Sequence, residues 1–219
     1  YALQSVNVQE SCIDDINIDF LVKFFRSNKI GKILLKLYNF LPIKSRYYIV
    51  EPHYHFFSQI FNVSKECYLD GYWQSEKYFK DIENIVRKEF TLKKELQVSL
   101  NADLLKIIEM TDSVSVHIRR SDYITNKAAN QTHGVCSVEY YDRAIEKIVK
   151  GFSNPHFFIF SDDIDWVKNN LKFNYPVTYV SDGNYKDYEE LIIMSYCKHN
   201  IIANSSFSWW GAWLNKNKE

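Results

Sequence analysis

The sequence predicts an α/β protein whose second half is a Rossmann-like layered domain. Three observations lead there. Between residues 114 and 214, short apolar segments alternate with helical stretches, four pairs in a row. Apolar strands separated by helices indicate a parallel sheet covered on both faces, and right-handed crossovers then make a layered arrangement the default. Three of the four strands end in polar clusters, and open parallel sheets bind ligands outside the carboxyl ends of their strands.

The first half reads as helical and irregular. From Ile18 to Leu41, apolar residues fall at Phe20, Leu21, Phe24 and Phe25, then at Ile30, Ile33, Leu34, Leu37 and Tyr38. That spacing predicts amphipathic helices broken near Asn28 to Gly31 and ended by Pro42. RYYIVEP, Arg46 to Pro52, predicts a short strand. His53 and His55 follow it at a spacing two metal ligands could use, but no third ligand accompanies them, so no metal is assigned. Cys67 to Phe79 reads as a strand, a turn at Asp70-Gly71 and an aromatic helix start. Helices from about Asp81 to Phe90 and from about Leu96 to Met110 complete this half. The seam is expected near Met110 to Ser113, giving domains 1–110 and 111–219.

The second half predicts strand Val114–Ile118 and helix Val138–Lys150, with Ser137 as N-cap and Gly151 as the stop. Strand His156–Phe160 and helix Ile164–Leu171 come next. Strand Val177–Val180 precedes helix Asp187–Cys197, and strand Asn200–Ala203 precedes helix Phe207–Leu214.

Bulk properties narrow the function. Hydrophobic residues at 46% supply a core, which excludes a disordered chain. Lys plus Arg and Asp plus Glu both number 27, so no global basic field holds nucleic acid, and an anionic ligand needs a local cluster. Cys12, Cys67, Cys136 and Cys197 form no C-x-x-C pair, so they read as reduced core thiols rather than a zinc ribbon. No run of 18 apolar residues and no signal peptide is read, in a chain that starts at Tyr1.

The first polar rim is His117, Arg119, Arg120, Ser121 and Asp122. If strand geometry continues, His117 and Arg119 share a face and Arg120 points away. A guanidinium matches two phosphate oxygens, and fixed donors stabilise a leaving diphosphate. Arg119 is the expected ligand residue. Arg120 divides between a ligand role and a pairing with Asp122 that staples the loop.

In the second rim, Ser161 or Asp162 is expected to cap the following helix. A carboxylate left over from Asp162 and Asp163 is free for a ribose hydroxyl or a guanine edge. A metal is conceivable there, but Arg119 already supplies the counter-charge. In the third rim, Asn204, Ser205 and Ser206 open a helix whose free N–H groups suit phosphate; the plainer alternative is a cap by Ser205 or Ser206. Trp209, Trp210 and Trp213 are expected to pack that helix on the sheet. The chain has no G-x-x-x-x-G-K-[ST], no G-x-G-x-x-G and no G-x-S-x-G.

HIRRSDY at 117–123 resembles the H-x-R-R-x-D motif of the alpha-1,2-fucosyltransferases, glycosyltransferase family 11. FFIFSDD at 157–163, the run from Asp187 to Leu214 and LDGYWQSEKYF at 69–79 are similar to further segments of that family, in the same order. The resemblance implies a GT-B architecture of two Rossmann-like lobes. It implies inverting transfer of L-fucose from GDP-L-fucose to the 2-hydroxyl of a terminal galactose, without metal or other cofactor. Carried over, Arg119 holds the β-phosphate, His117 and Asp162 place the guanosine, and Ser205 and Ser206 lie near the diphosphate. Arg120, Asp163 and Asn204 join this substrate-binding set.

Asp122 is placed to act as base, although an arginine partner lowers its basicity. The Gly-rich segment that opens family members is absent, and the family continues past the tryptophan-rich helix. The N-terminal, acceptor-side lobe is therefore expected to be incomplete, with weak or no transfer if the chain is a fragment. With no membrane anchor read, unlike the Golgi-anchored animal members of that family, the expectation is a bacterial enzyme of the cytoplasm or the inner face of the membrane that acts on surface polysaccharide precursors. Another nucleotide-sugar transferase, or a nucleotide-sugar binding module without turnover, stands as the alternative.

Overall fold

The computed structural model describes residues 29–63, 67–93, 96 and 100–217. Cys12 and the helical reading of residues 18–28 lie outside the described residues. The chain divides into two compact units, one within residues 9–86 and the other from residue 87 onward.

The first unit opens with α1 (Lys29–Tyr38), ended before Pro42 as the proline dictates. β1 (Tyr48–Val50) and β2 (Tyr68–Asp70) pair in parallel, Tyr48 opposite Tyr68. The buried Tyr48 hydroxyl donates to the Asp70 carboxylate. Gly71 then turns the chain, as the Asp-Gly pair predicts. A Cβ on Gly71 would overlap the Glu51 side chain. That close approach lets Glu51 accept from the Tyr72 amide at 2.8 Å and the Trp73 amide at 3.2 Å. Short 3-10 turns lead to α2 (Glu83–Glu89), which crosses the boundary between the units.

In the second unit α3 (Ala102–Met110) starts where Asn101 accepts from the amides of Asp103 and Leu104, later than the apolar spacing alone suggests. β3 (Asp112–Ile118) is followed by α4 (Ser121–Thr125), α5 (Lys127–His133) and α6 (Val138–Ile148). The Ser137 side chain caps α6 by accepting from the Tyr140 amide. β4 (Pro155–Ser161), α7 (Ile164–Asn170), β5 (Val177–Tyr179), α8 (Asp187–Tyr196), β6 (His199–Ile201) and α9 (Ser206–Leu214) complete the described chain. The four expected strand–helix pairs are all present. The short, polar α4 and α5 were not expected, because they carry no apolar period to read.

The four strands form a parallel sheet in the order β5-β4-β3-β6. The chain steps outward from β3 to β4 to β5, then returns to the other side of β3 for β6. The direction of winding therefore reverses between β3 and β6. This α/β layering is Rossmann-like, as predicted.

Side-chain alternation builds two cores. Phe157 and Ile159 of β4 join Val114, Val116, Ile118, Tyr141 and Ile145 on one face. Phe158 and Phe160 join Leu104, Ile108, Ile192 and Met194 on the other. Each such side chain, fully buried, contributes about 1.5–3 kcal/mol. The expected seam near residues 110–113 lies inside this unit, because Leu104 and Ile108 of α3 belong to its second core. On that same face β3 presents Ser113, Ser115 and His117, all buried. Ser113 Oγ accepts from the Lys198 amide at 3.0 Å and Ser115 Oγ from Asn200 Nδ2 at 2.6 Å. The serines are satisfied by β6 and the residue before it, as buried hydroxyls must be. Gly211 of α9 brings the backbone close to α8, since a Cβ there would sit 3.0 Å from Met194 Cβ and Sδ.

Candidate functional site

β3 stops at Ile118, and the next residues leave the sheet at its carboxyl end. Ligands of open α/β sheets bind at such an end, where the winding direction reverses. Here that point lies between β3 and β6. His117 and Arg119 come from β3 and its end, and Ser205 and Ser206 from the start of α9 after β6. The His117 ring lies 5.5 Å from the Phe207 ring, centroid to centroid, which brings these two segments together.

Arg119 is held by one nitrogen. Its Nε donates to Asp122 Oδ1 at 3.0 Å and lies 3.2 Å from Asp162 Oδ2. Its two terminal amino groups make no hydrogen bond to a described residue. Burial works against its charge, but the Asp122 hydrogen bond and the Asp162 carboxylate outweigh it and hold the guanidinium pKa above its ordinary value. The same hydrogen bond holds the Asp122 carboxyl below its ordinary range, which makes it a poor proton acceptor.

Arg120 is used differently. Its guanidinium carbon lies 3.5 Å over the Trp166 ring and its Nε 3.5 Å from Asp163 Oδ2. Of the two alternatives for Arg120, the staple to Asp122 is replaced by these two other pairings. Asp122 lies one helical turn beyond Arg119, in reach of Arg119, while the chain turn at Arg120 directs its side chain to the start of α7.

Asp163, not Ser161 or Asp162, caps α7 by accepting from the Trp166 amide at 3.1 Å. Ser161 Oγ accepts from the Asp163 amide instead. Asp162 is the hub of the rim. Its carboxylate accepts from the Arg120 amide at 2.9 Å and the Ser121 amide at 3.1 Å, and its carbonyl accepts from Ser121 Oγ at 2.9 Å. It thereby fastens the end of β4 to the loop after β3.

Asn204 is also committed. Its side-chain amide donates to the His133 carbonyl, and its own carbonyl accepts from the Tyr123 hydroxyl at 3.0 Å. Ser205 is the N-cap residue of α9, yet its side chain makes no capping bond. The hydroxyls of Ser205 and Ser206 make no hydrogen bond to a described residue. The start of this helix thus keeps its N–H groups and two hydroxyls available.

His117 is 4% exposed, and its Nδ1 has no partner among the described residues. Burial lowers its pKa to about 4; Asp162 opposes that shift and Arg119 reinforces it. The ring is neutral at neutral pH and presents Nδ1 as one donor or one acceptor.

Two participants were not singled out in the sequence. Ser181 accepts from the Ser161 amide at 3.0 Å and donates to Glu190 Oε2 at 2.8 Å. Burial pushes the Glu190 carboxyl up to about 7, against the Ser181 hydrogen bond that lowers it. Glu190 sits in the acidic first turn of α8, where carboxylates read as dipole partners, so only its burial distinguishes it.

The titration of Glu190 has a measurable consequence. Its folded pKa is raised, so between about 4.5 and 7 the folded state binds more protons than the unfolded state. This group's contribution is full below the unfolded value and is lost as pH rises through the folded value. Glu190→Gln, which keeps an acceptor for Ser181, is therefore expected to match wild type near pH 4. It should become the more stable protein as pH rises to about 7, by about 2 kcal/mol after allowance for partial solvent screening. Urea unfolding across that range checks it; a gap independent of pH contradicts it.

Among the described residues, no three His, Cys, Asp or Glu side chains are grouped to hold a metal ion. Cys67, Cys136 and Cys197 are free thiols. Two open cavities of about 350 and 360 Å³ both reach Lys198 and Asn217, at the amino end of β6, away from the rim. The clustering of the rim at the switch point outweighs their size as a guide to the ligand site.

The chain is 43% identical to an alpha-1,2-colitosyltransferase of Escherichia coli over 66% of its length and 50% of that protein's. It is 36% identical to the O-antigen biosynthesis glycosyltransferase WbnK of Escherichia coli, over 90% of this chain and 64% of the other. Identity to the galactoside 2-alpha-L-fucosyltransferase Sec1 of Mus musculus is 25%, over 66% of this chain and 41% of the other. The chain thus spans less than two thirds of each of these relatives. The profile of Glycosyl transferase family 11 matches residues 6–219, and the chain belongs to that family of glycosyltransferases.

Proposed function

We propose that this chain carries the donor-binding machinery of an inverting 1,2-glycosyltransferase that uses GDP-L-fucose and a galactose-terminated acceptor. The observation that supports this reading best is Arg119. Two carboxylates hold its Nε, its terminal amino groups make no hydrogen bond to a described residue, and it leaves the sheet at the carboxyl end of β3. In the transfer, the bond from the sugar anomeric carbon to the β-phosphate oxygen breaks as the acceptor oxygen bonds to that carbon from the opposite side. The electron pair leaves with the diphosphate, and the acceptor hydroxyl's proton passes to solvent water. Guanidinium donors and helix N–H groups match the charge that develops on the departing oxygen. His117 and the start of α9 would hold the rest of the nucleotide. Asp122 holds Arg119 rather than accepting the acceptor's proton. With Arg119 as counter-charge, the reaction is proposed to need no metal.

A second donor is favoured by the 43% identity to a colitosyltransferase. Colitose lacks the 3-hydroxyl of fucose. A site that hydrogen-bonds this hydroxyl rejects the deoxy sugar strongly, whereas a site that does not accepts both. Calorimetry with GDP, followed by turnover of GDP-L-fucose and its 3-deoxy counterpart on a beta-galactoside, with and without EDTA, tests the reading. Transfer that EDTA leaves unchanged is the expected result. Binding without turnover supports a nucleotide-binding module instead, and absence of GDP binding overturns both.

A further inference from the structure

In the first unit, α1 presents three distinct faces. Gly31 is buried and Leu35 and Tyr38 are half-buried, and this side ties the helix down. The Tyr38 hydroxyl accepts from the Tyr47 amide at 2.7 Å and the Tyr48 amide at 3.4 Å, at the entry to β1. A second face carries Ile30, Ile33, Leu34 and Leu37, which are 68%, 59%, 43% and 59% exposed. Their spacing of i, i+3, i+4 and i+7 makes one continuous stripe. Phe40, 86% exposed, and Leu41 extend it past the end of the helix. Lys29, Lys32 and Lys36 occupy the third face, beside the stripe.

The turn beyond α1 is fixed rather than loose. The Arg46 guanidinium donates to the carbonyls of Asn39 and Leu41, which keeps Phe40 outward. No Asp or Glu occurs from Lys29 to Val50, while Lys44 and Arg46 add to the three helix lysines. An exposed apolar stripe of this size marks an interaction surface, and uniform positive charge beside it selects a negatively charged partner. Basic residues flanking an apolar stripe on a short helix describe an element that lies in the plane of a bilayer, its lysines reaching the headgroups. No helix among the described residues is long and apolar enough to cross a membrane.

We infer that α1 and the Phe40 turn form a docking surface for an anionic lipid bilayer. The stripe enters the acyl boundary, and Lys29, Lys32 and Lys36 meet the phosphates. This inference is independent of the donor and acceptor proposed above.

Co-sedimentation of the chain with vesicles tests it, using phosphatidylglycerol mixed into phosphatidylcholine against phosphatidylcholine alone. The expected result is binding to the anionic vesicles that falls steeply with salt, and little binding to the neutral ones. Reversing all three helix lysines to glutamate should weaken the anionic binding by at least about a hundredfold, each lysine contributing about fivefold. The double change Ile33→Asp and Leu37→Asp should abolish it. Both variants alter exposed side chains, so melting temperature and GDP affinity should stay at wild-type values, which separates this test from that of the transferase reading. Equal binding to both vesicle types, or none, overturns the inference. So does a wild-type dimer that the aspartate variant dissociates without any vesicle binding, which would assign the stripe to a second copy of the chain.

Discussion

Arg119→Ala is expected to lower kcat/KM by about a thousandfold and to remove most GDP affinity, while the protein stays folded. The size follows from what the side chain offers. One preorganised donor aimed at developing charge is worth about a hundred- to a thousandfold, and Arg119 has two terminal amino groups without a partner among the described residues. Little stability is at stake, because the side chain is 35% exposed and its pairing with Asp122 is solvated. Such pairs contribute about 0–1 kcal/mol. Asp162, its other partner, keeps two backbone amides after the change. Arg119→Lys restores the charge but not the planar fork, so it should recover only part of the binding. Calorimetry with GDP, turnover and thermal melting on the same preparations check all three statements. A variant that unfolds, from a wild type that never binds GDP, would make Arg119 a structural residue.

The contrast between the two arginines shows how far a sequence can be read at such a rim. That charge gathers at the carboxyl end of β3 was legible, because a buried strand running into HIRRSD has no other use for it. That Arg119 and Arg120 diverge was legible from the pleat, which sends successive side chains to opposite faces. Which acid each arginine takes was not, since that depends on a change of chain direction at Arg120, one residue past the strand. The same limit explains the cap of α7. Ser161, Asp162 and Asp163 are all capable acceptors, and only the backbone geometry at Asp163 decides among them. It also explains α4 and α5, short and polar, held by contacts such as Asn130 Nδ2 to the Tyr123 carbonyl rather than by an apolar face.

Order in the sheet carried more. Four strand–helix pairs sufficed to place three rims on one edge, but the sequence did not reveal that β6 lies beside β3. That pairing brings the start of α9 to the carboxyl end of β3, where Phe207 meets His117, and it is recorded by partners distant in sequence, Ser115 with Asn200 and Ser113 with Lys198. Small hydroxyls within an apolar strand are the visible trace of it, and without the partner they read as ordinary interruptions.

Asp162→Ala is expected to have the other large effect, and of a different kind. The substitution orphans the amides of Arg120 and Ser121 and removes one of the two carboxylates beside Arg119. Both bonds lie at an exposed rim where water partly replaces the carboxylate, so the loss of stability should be about 1–2 kcal/mol. Asp162→Asn retains one acceptor oxygen for two amides and turns donors toward the other amide and Arg119, so it should recover less than half of that loss. Activity should fall about ten- to a hundredfold, because Arg119 keeps Asp122 but the loop that aims it loosens.

Arg119→Ala thus loses function and keeps stability, whereas Asp162→Ala loses both. Combining them should show coupling, since the two side chains share one contact. Urea unfolding together with GDP calorimetry on the single and double variants measures it. The informative reversal is an Asp162→Ala protein that melts like wild type yet no longer binds GDP. In that case the carboxylate would be bonding the nucleotide itself, and the rim would be held together by Ser121 Oγ and the Asp163–Arg120 pair instead.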